Sequence, residues 1–122
     1  MPNVLSHTTP EVFSPQSGRV DALRVAEYLH LRPNDIAAIT GHTGRYVRKD
    51  PDAPSFQDPL KKVVFIVKGL LDLTGGDKQQ ALIWLNAPHP ALDHAAPLDL
   101  MRGSELDVVV DLVDDMLTGA PA

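Results

Sequence analysis

The sequence of 122 residues contains no cysteine, which excludes disulfide bridges, thiolate zinc sites, iron–sulfur clusters and thiol nucleophiles. It also lacks any run of about 20 apolar residues, the length that a membrane-spanning helix needs. No basic-then-apolar segment of the secretory type stands at its start. We therefore expect a cytoplasmic protein that is stabilised by packing, since 43% of its residues are hydrophobic.

Positive charge is scarce and unevenly placed. The net charge is −5 at neutral pH. Cations nevertheless outnumber anions before residue 50, and anions outnumber cations after residue 77. A chain with this distribution can bind a polyanion through its first part while its last part repels it. The alternative is two ordinary solvated surfaces.

The residue types that support catalysis do not occur in a recognisable pattern. His89 and His94 lie five residues apart in an irregular segment, without the His-Glu-x-x-His spacing of a metal site. Gly75 and Gly76 lack the Lys-Ser/Thr pair and the preceding strand of a phosphate loop, so a helix end explains them better. We predict no catalytic, cofactor-binding or metal-binding residues, and no enzyme.

Apolar residues recur at intervals of three and four along most of the chain, which predicts an all-α fold. Residues 1–17 are rich in proline and hydroxyl side chains and predict a flexible arm. Residues 18–59 predict a unit of short helices and a proline-rich loop, and residues 60–122 predict a unit of longer helices. The short helices are expected at about residues 18–30, 33–40 and 45–49. At this chain length we expect the two units to share a core.

The first unit has the pattern of a helix-turn-helix, in which a second helix after a short glycine-containing turn enters the DNA major groove. In that second helix Arg45 and Arg48 can reach guanine edges or phosphates. The predicted DNA-binding residues are Thr43, Arg45, Tyr46, Arg48 and Lys49. The alternative is that these helices form a structural pair and do not contact DNA. Such pairs are common packing units, and a helix this short is poorly suited to recognising a base sequence.

The last helix has a wider apolar arc than one supporting helix normally covers. Val109, Val113 and Met116 form an inward ridge, and Val108 and Leu112 form a second ridge beside it. We predict that this second ridge, Val108 and Leu112, binds another protein.

A specific motif stands in the second unit. It consists of Ala-Leu-Ile-Trp-Leu-Asn-Ala-Pro-His-Pro-Ala-Leu over residues 81–92, followed by Pro-Leu-Asp-Leu over residues 97–100 and a long final helix. From Gly76 to near the C-terminus, this order resembles the toxin-binding domain of the Xre/MbcA/ParS antitoxins. Before residue 60, the short helices agree with the degenerate helix-turn-helix domain that these antitoxins carry.

The resemblance implies an antitoxin of a type II toxin–antitoxin system. It implies a RES-domain partner that consumes NAD or transfers ADP-ribose, neutralised by occlusion of its active site. It also implies a homodimer that joins the toxin in a larger hetero-oligomer and represses its own promoter. In the family the chain end lies against the toxin's cleft, which here corresponds to Gly119, Ala120, Pro121 and Ala122.

The predicted toxin-binding residues are therefore Val108, Leu112, Gly119, Ala120, Pro121 and Ala122. Two alternatives stay open: a stand-alone helix-turn-helix transcriptional regulator without a toxin partner, and a helical scaffold protein.

Overall fold

The computed structural model describes residues 9–119, and the fold of this range is all-helical, as predicted. The α-helices are α1 (Ala22–Tyr28), α2 (Pro33–Thr40), α3 (Gly44–Lys49), α4 (Gln57–Leu73), α5 (Lys78–Asn86), α6 (Pro97–Arg102) and α7 (Leu106–Thr118). Short 3₁₀ turns lie at Pro10–Val12, Pro54–Phe56 and Pro90–Leu92. Among the described residues, β pairing is limited to one antiparallel bridge between Phe13 and Val20. None of these helices combines the length and apolar character that would span a bilayer.

The first unit contains α1, α2 and α3, and local signals fix where these helices begin and end. The Asp21 carboxylate accepts a hydrogen bond from the Arg24 amide at the start of α1. The Thr43 hydroxyl accepts one from the Tyr46 amide at the start of α3. Gly41 ends α2 in the left-handed conformation, with φ of 75°. The second and third helices thus follow the expected boundaries closely.

Residues 9–17 correct the prediction of a flexible arm over residues 1–17. Val12 is buried in the core, and the Asp21 amide donates to the Val12 carbonyl at 2.9 Å. This segment folds back on the chain, so α1 begins at Ala22 rather than near residue 18. The spacing of apolar residues in the sequence could not predict this packing, because the contacts that order residues 9–17 are tertiary. Residues 1–8 lie outside the described residues.

The second unit is built around α4 and α7, which pack side by side. Near the start of both helices, Lys62 Nζ lies 2.9 Å from Asp107 Oδ1. Farther along α4, Gly69 faces Val113 and Leu117 of α7. The two helices therefore run in the same direction, with their apolar stripes turned toward the core. Their fully covered side chains include Leu60, Val63, Ile66, Val109 and Val113.

Arg102 of α6 connects the second unit to the first. Its Nε lies 3.0 Å from Asp35 Oδ1 in α2, and the other oxygen of Asp35 accepts the Arg32 amide. A single core cluster contains buried side chains of both units, among them Ile36 and Val63. The two units therefore share a core, as expected for a chain of this length.

Gly69 permits the close approach of α4 and α7. A Cβ built at this position would lie 2.6 Å from Val113 Cγ1 and 3.0 Å from Leu117 Cδ1. Val113 is fully buried and β-branched, so it cannot rotate out of the way at little cost.

We expect Gly69→Ala to lower the free energy of unfolding by about 1–3 kcal/mol, the usual cost of overpacking. This holds although alanine is favoured over glycine inside a helix by about 1 kcal/mol. Urea unfolding followed by circular dichroism measures the change. Lys68→Ala, at the preceding position on α4, is the control and should change stability little. Equal or higher stability of Gly69→Ala would show that α4 and α7 separate without cost.

Candidate functional site

The second apolar ridge of α7 is divided between surface and core. Val108 is 44% exposed, in agreement with its prediction as a surface residue. Leu112 is only 9% exposed, so the expectation that it offers a free surface is wrong. It follows the inward residue Val109 by three positions on α7, a helix that contacts both α4 and α6. Val109 and Val113 face inward as predicted.

A larger apolar surface lies where the ends of α4 and α7 meet α5. Leu73 is 45% exposed and Ile83 is 52% exposed, and both line one open cavity of about 370 Å³. We call this cavity the α5 groove. Its lining residues are Leu70, Leu73, Thr74, Gln80, Ile83, Trp84, Ala87 and Met116. The α5 groove concentrates exposed aliphatic side chains, which is typical of a protein-binding surface.

Trp84 forms part of both the core and the α5 groove. It is half-buried, packs against the core cluster and lines the groove. Its ring also contacts the ring of His89, edge to face, at a centroid distance of 5.5 Å. The His89 Nδ1 accepts the Ala91 amide, which fixes the orientation of that ring. The Asn-Ala-Pro-His segment therefore supports one wall of the groove.

The sequence analysis missed Leu73 and Ile83 as surface residues. A signal for Ile83 existed, because residues 81–85 are five consecutive apolar residues in a helix. A helix buries one face, so such a run leaves at least one large side chain outside. Ala81 and Leu85 point inward, and Ile83 takes the outer position. Leu73 stands at the last position of α4, where the apolar stripe passes beyond the core.

Helix α3 presents the residues that were predicted to contact DNA. Val47 is fully buried, while Arg45, Arg48 and Lys49 are exposed and form no ion pair with any described residue. Tyr46 is 40% exposed, and its ring packs against the rings of His42 and Phe56. These contacts hold one side of α3 on the first unit and leave its cations facing water.

The structure brings four of the five predicted DNA-binding residues to one hollow. Thr43, Arg45, Tyr46 and Lys49 line a shallow cavity of about 450 Å³. Arg48 is not among its lining residues, because its guanidinium folds back over Gly44. A Cβ at Gly44 would lie 3.2 Å from Arg48 Nη1. The Thr43 hydroxyl already caps α3, so a phosphate would share it with the Tyr46 amide.

A third cavity, of about 730 Å³, joins the two units between α1 and α5. Lys78 Nζ lies 4.0 Å from the centre of the Tyr28 ring, a cation–π contact. Burial, followed by the charge of Glu11, raises the pKa of Tyr28 above its usual value. Charges of both signs line the cavity, so it favours no single class of ligand.

The predicted tail site is described only at its first residue. Gly119 is exposed and ends α7 in the left-handed conformation, with φ of 72°. Ala120, Pro121 and Ala122 lie outside the described residues. Within residues 9–119, no three histidine or carboxylate side chains form a group that could hold a metal ion.

Residues 70–119 match the family model of the antitoxin Xre/MbcA/ParS C-terminal toxin-binding domain. The family resemblance predicted from the sequence is confirmed. Every residue that lines the α5 groove lies within the matched segment, as does the whole of α7. The segment that matches a toxin-binding domain therefore contains the α5 groove and its exposed aliphatic side chains.

A structural comparison extends the likeness toward the N-terminus. The fold is similar to that of a chain in the crystal structure of the M. tuberculosis MbcT–MbcA toxin–antitoxin complex, with a TM-score of 0.55 and 24% sequence identity. The match covers 83% of this chain and 94% of that chain, so it includes residues of the first unit. At this identity the comparison establishes a shared fold. No curated protein sequence matches the chain.

The free energies of unfolding of two variants can show that Leu112 is covered and Val108 is exposed. We expect Leu112→Ala to lower the free energy of unfolding by about 2–5 kcal/mol, because it removes a covered side chain and leaves a cavity. Val108→Ala should stay within about 0.5 kcal/mol of the parent, as most surface substitutions do. Urea unfolding of the isolated protein measures both. Equal effects of the two substitutions would contradict the assignment of Leu112 to the interior.

Proposed function

We propose that this chain is the antitoxin of a type II toxin–antitoxin system and has no catalytic role of its own. It binds a partner toxin through residues 70–119, the segment that matches a toxin-binding domain. The observation that carries the proposal is the α5 groove inside that segment, where Leu73 and Ile83 stand exposed. Large aliphatic side chains gathered on one open surface favour association with another protein.

The partner is a RES-domain toxin that uses NAD, as the family resemblance implies. Its active site is blocked by steric occlusion rather than by chemistry. The geometry supports occlusion by the end of the chain. Met116 lines the α5 groove, and Gly119 follows it by three residues. A toxin held at the groove therefore lies close to Gly119, the first residue of the predicted tail site. The groove supplies affinity, and the chain end supplies inhibition.

Variants of the groove test the binding step. We expect the double variant Leu73→Ser, Ile83→Ser to weaken binding to the toxin encoded beside this gene by at least about 30-fold, the effect of losing one interface hot spot. Both side chains are about half exposed, so the fold should tolerate the change. Tyr46→Ser, at an exposed aromatic position on α3, is the matched control. Val108→Ser tests the second predicted contact. Calorimetric titration measures the dissociation constants.

Removal of residues 119–122 tests the inhibition step separately. The truncated chain should still bind the toxin, while growth of cells that co-express the toxin should fail. Healthy growth would show that the tail is dispensable. Unchanged binding by the groove variant would remove the observation on which the proposed function rests. Absence of any neighbouring toxin gene would favour a stand-alone regulator.

A second function, repression of the chain's own promoter, is supported by the exposed cations of α3. Arg45 and Lys49 line the same hollow as Thr43 and Asp50, and neither cation forms an ion pair with a described residue. A positive helix after a short glycine-containing turn fits the major groove or the phosphates beside it. One such unit binds weakly, so tight binding requires two copies at half-site spacing.

We expect Arg45→Ala with Arg48→Ala to weaken operator binding by about 1–3 kcal/mol for each guanine contact that is lost. Arg24→Ala, an exposed cation on α1, is the control and should leave affinity unchanged. Fluorescence anisotropy with the promoter DNA, at fixed salt, measures the affinities. If the double variant binds as well as the parent, α3 does not read DNA.

A further inference from the structure

Helix α5 carries a stripe of side chains on the side that faces away from the core. Ala81 and Leu85 point inward, whereas Ile83 is exposed. The outer stripe follows the helical spacing of three and four residues and consists of Gln79, Leu82, Ile83 and Asn86. Its centre is aliphatic and its two ends are amides. The stripe can therefore pack against an apolar side chain and form hydrogen bonds beside it.

An open cavity of about 580 Å³ lies beside this stripe. The four residues of the stripe line it together with Lys78, at the start of α5, and His30, which follows α1. We call it the outer cavity. Ile83 lines both the outer cavity and the α5 groove, so the two adjoin at this residue.

The first unit holds a positive charge at the edge of the outer cavity. The cation–π contact of Lys78 Nζ with the Tyr28 ring fixes the position of this charge. Lys78 forms no ion pair with any described residue. The lining of the outer cavity contains no acid, because Glu11, Asp21 and Glu27 line the neighbouring cavity instead. The charge is thus held in place without a carboxylate partner.

His30 is the one residue of the first unit in the lining of the outer cavity. Its backbone lies in the left-handed region, with φ of 57°, a conformation that histidine adopts more often than most residues. The His30 amide donates to the Glu27 carbonyl at 3.2 Å, and its side chain is exposed. The turn after α1 therefore adds a first-unit side chain to a surface that α5 otherwise builds.

The α5 groove alone is too small to account for a tight complex. Helix α5 has nine residues, and together with the ends of α4 and α7 it covers roughly 14 by 20 Å, or about 300 Å². A standard interface covers roughly 800 Å² of each partner. A toxin bound at the groove must therefore also contact neighbouring surface, and the outer cavity is continuous with the groove through Ile83.

We propose that the toxin interface continues from the α5 groove over Ile83 into the outer cavity, and that this cavity receives an acidic segment of the toxin. A carboxylate of that segment pairs with Lys78, and an apolar side chain beside it packs on Leu82 and Ile83. The first unit then takes part in toxin binding, through His30 and through the Tyr28 ring that positions Lys78. This inference rests on the proposed function, since its occupant is the toxin.

Substitution of Lys78 tests the charge pair. We expect Lys78→Glu to raise the dissociation constant of the toxin complex at least about tenfold, because like charges then meet. Lys78→Arg keeps both the charge and the cation–π contact and should bind about as tightly as the parent. The matched control is Lys61→Glu, an exposed position on α4 that lines neither the groove nor the outer cavity. Calorimetric titration measures the constants. Added salt should weaken the parent complex more than the Lys78→Glu complex.

Hydrogen exchange tests the contribution of the first unit without any variant. Addition of the toxin should slow the exchange of the backbone amides at residues 28–31, which include His30. The amides of α3, a helix that lines neither the groove nor the outer cavity, serve as the internal control. Mass spectrometry of the exchanged protein, with and without toxin, measures the difference.

The inference is overturned if Lys78→Glu binds the toxin as tightly as Lys61→Glu, or if the toxin leaves exchange at residues 28–31 unchanged. Circular dichroism checks the fold of each variant, and the exchange measurement decides if Lys78→Glu is unfolded. Leu73→Ser, which changes the groove and not the outer cavity, separates the two proposals. If Leu73→Ser weakens binding and Lys78→Glu does not, the proposed function stands and this inference falls. If neither variant weakens binding, both fall.

Discussion

The contact between α4 and α7 is the constraint on which the remaining structure depends. It is close because Gly69 has no side chain to hold the helices apart, and Val113 fills the space that results. Once the two helices lie together in the same direction, their inner stripes form the centre of the core. Their C-terminal ends form two walls of the α5 groove.

Much of the fold could be predicted from local rules. Caps and breakers act within a few residues, so the start of α5 at Asp77 and the end of α2 at Gly41 followed from residue type alone. The packing of residues 9–17 did not, because Val12 is ordered by contacts with residues distant in sequence. Periodicity reports which face of a helix is apolar, and it does not report which other segment will cover that face.

The surfaces were harder to predict than the helices. Leu112 and Ile83 are both apolar residues beside an inward stripe, yet one is covered and the other is exposed. What separates them is tertiary packing, which covers Leu112 on α7 and leaves Ile83 on α5 open to solvent. The family resemblance indicated the matched segment, residues 70–119, whereas the position of the α5 groove within it depends on three-dimensional packing. The exposed cations of α3 could be predicted from the sequence, because arginine and lysine side chains are almost never fully buried unless they are paired.

The ion pair between Arg102 and Asp35 has an evolutionary consequence. Asp35 also accepts the Arg32 amide at the start of α2, so one carboxylate serves both the helix start and the contact with α6. The two units are thus adapted to each other at a single acidic position. If recombination replaced the first unit with one that lacks Asp35, the guanidinium of Arg102 would lose its ion-pair partner in α2. We therefore expect the two units to be inherited together.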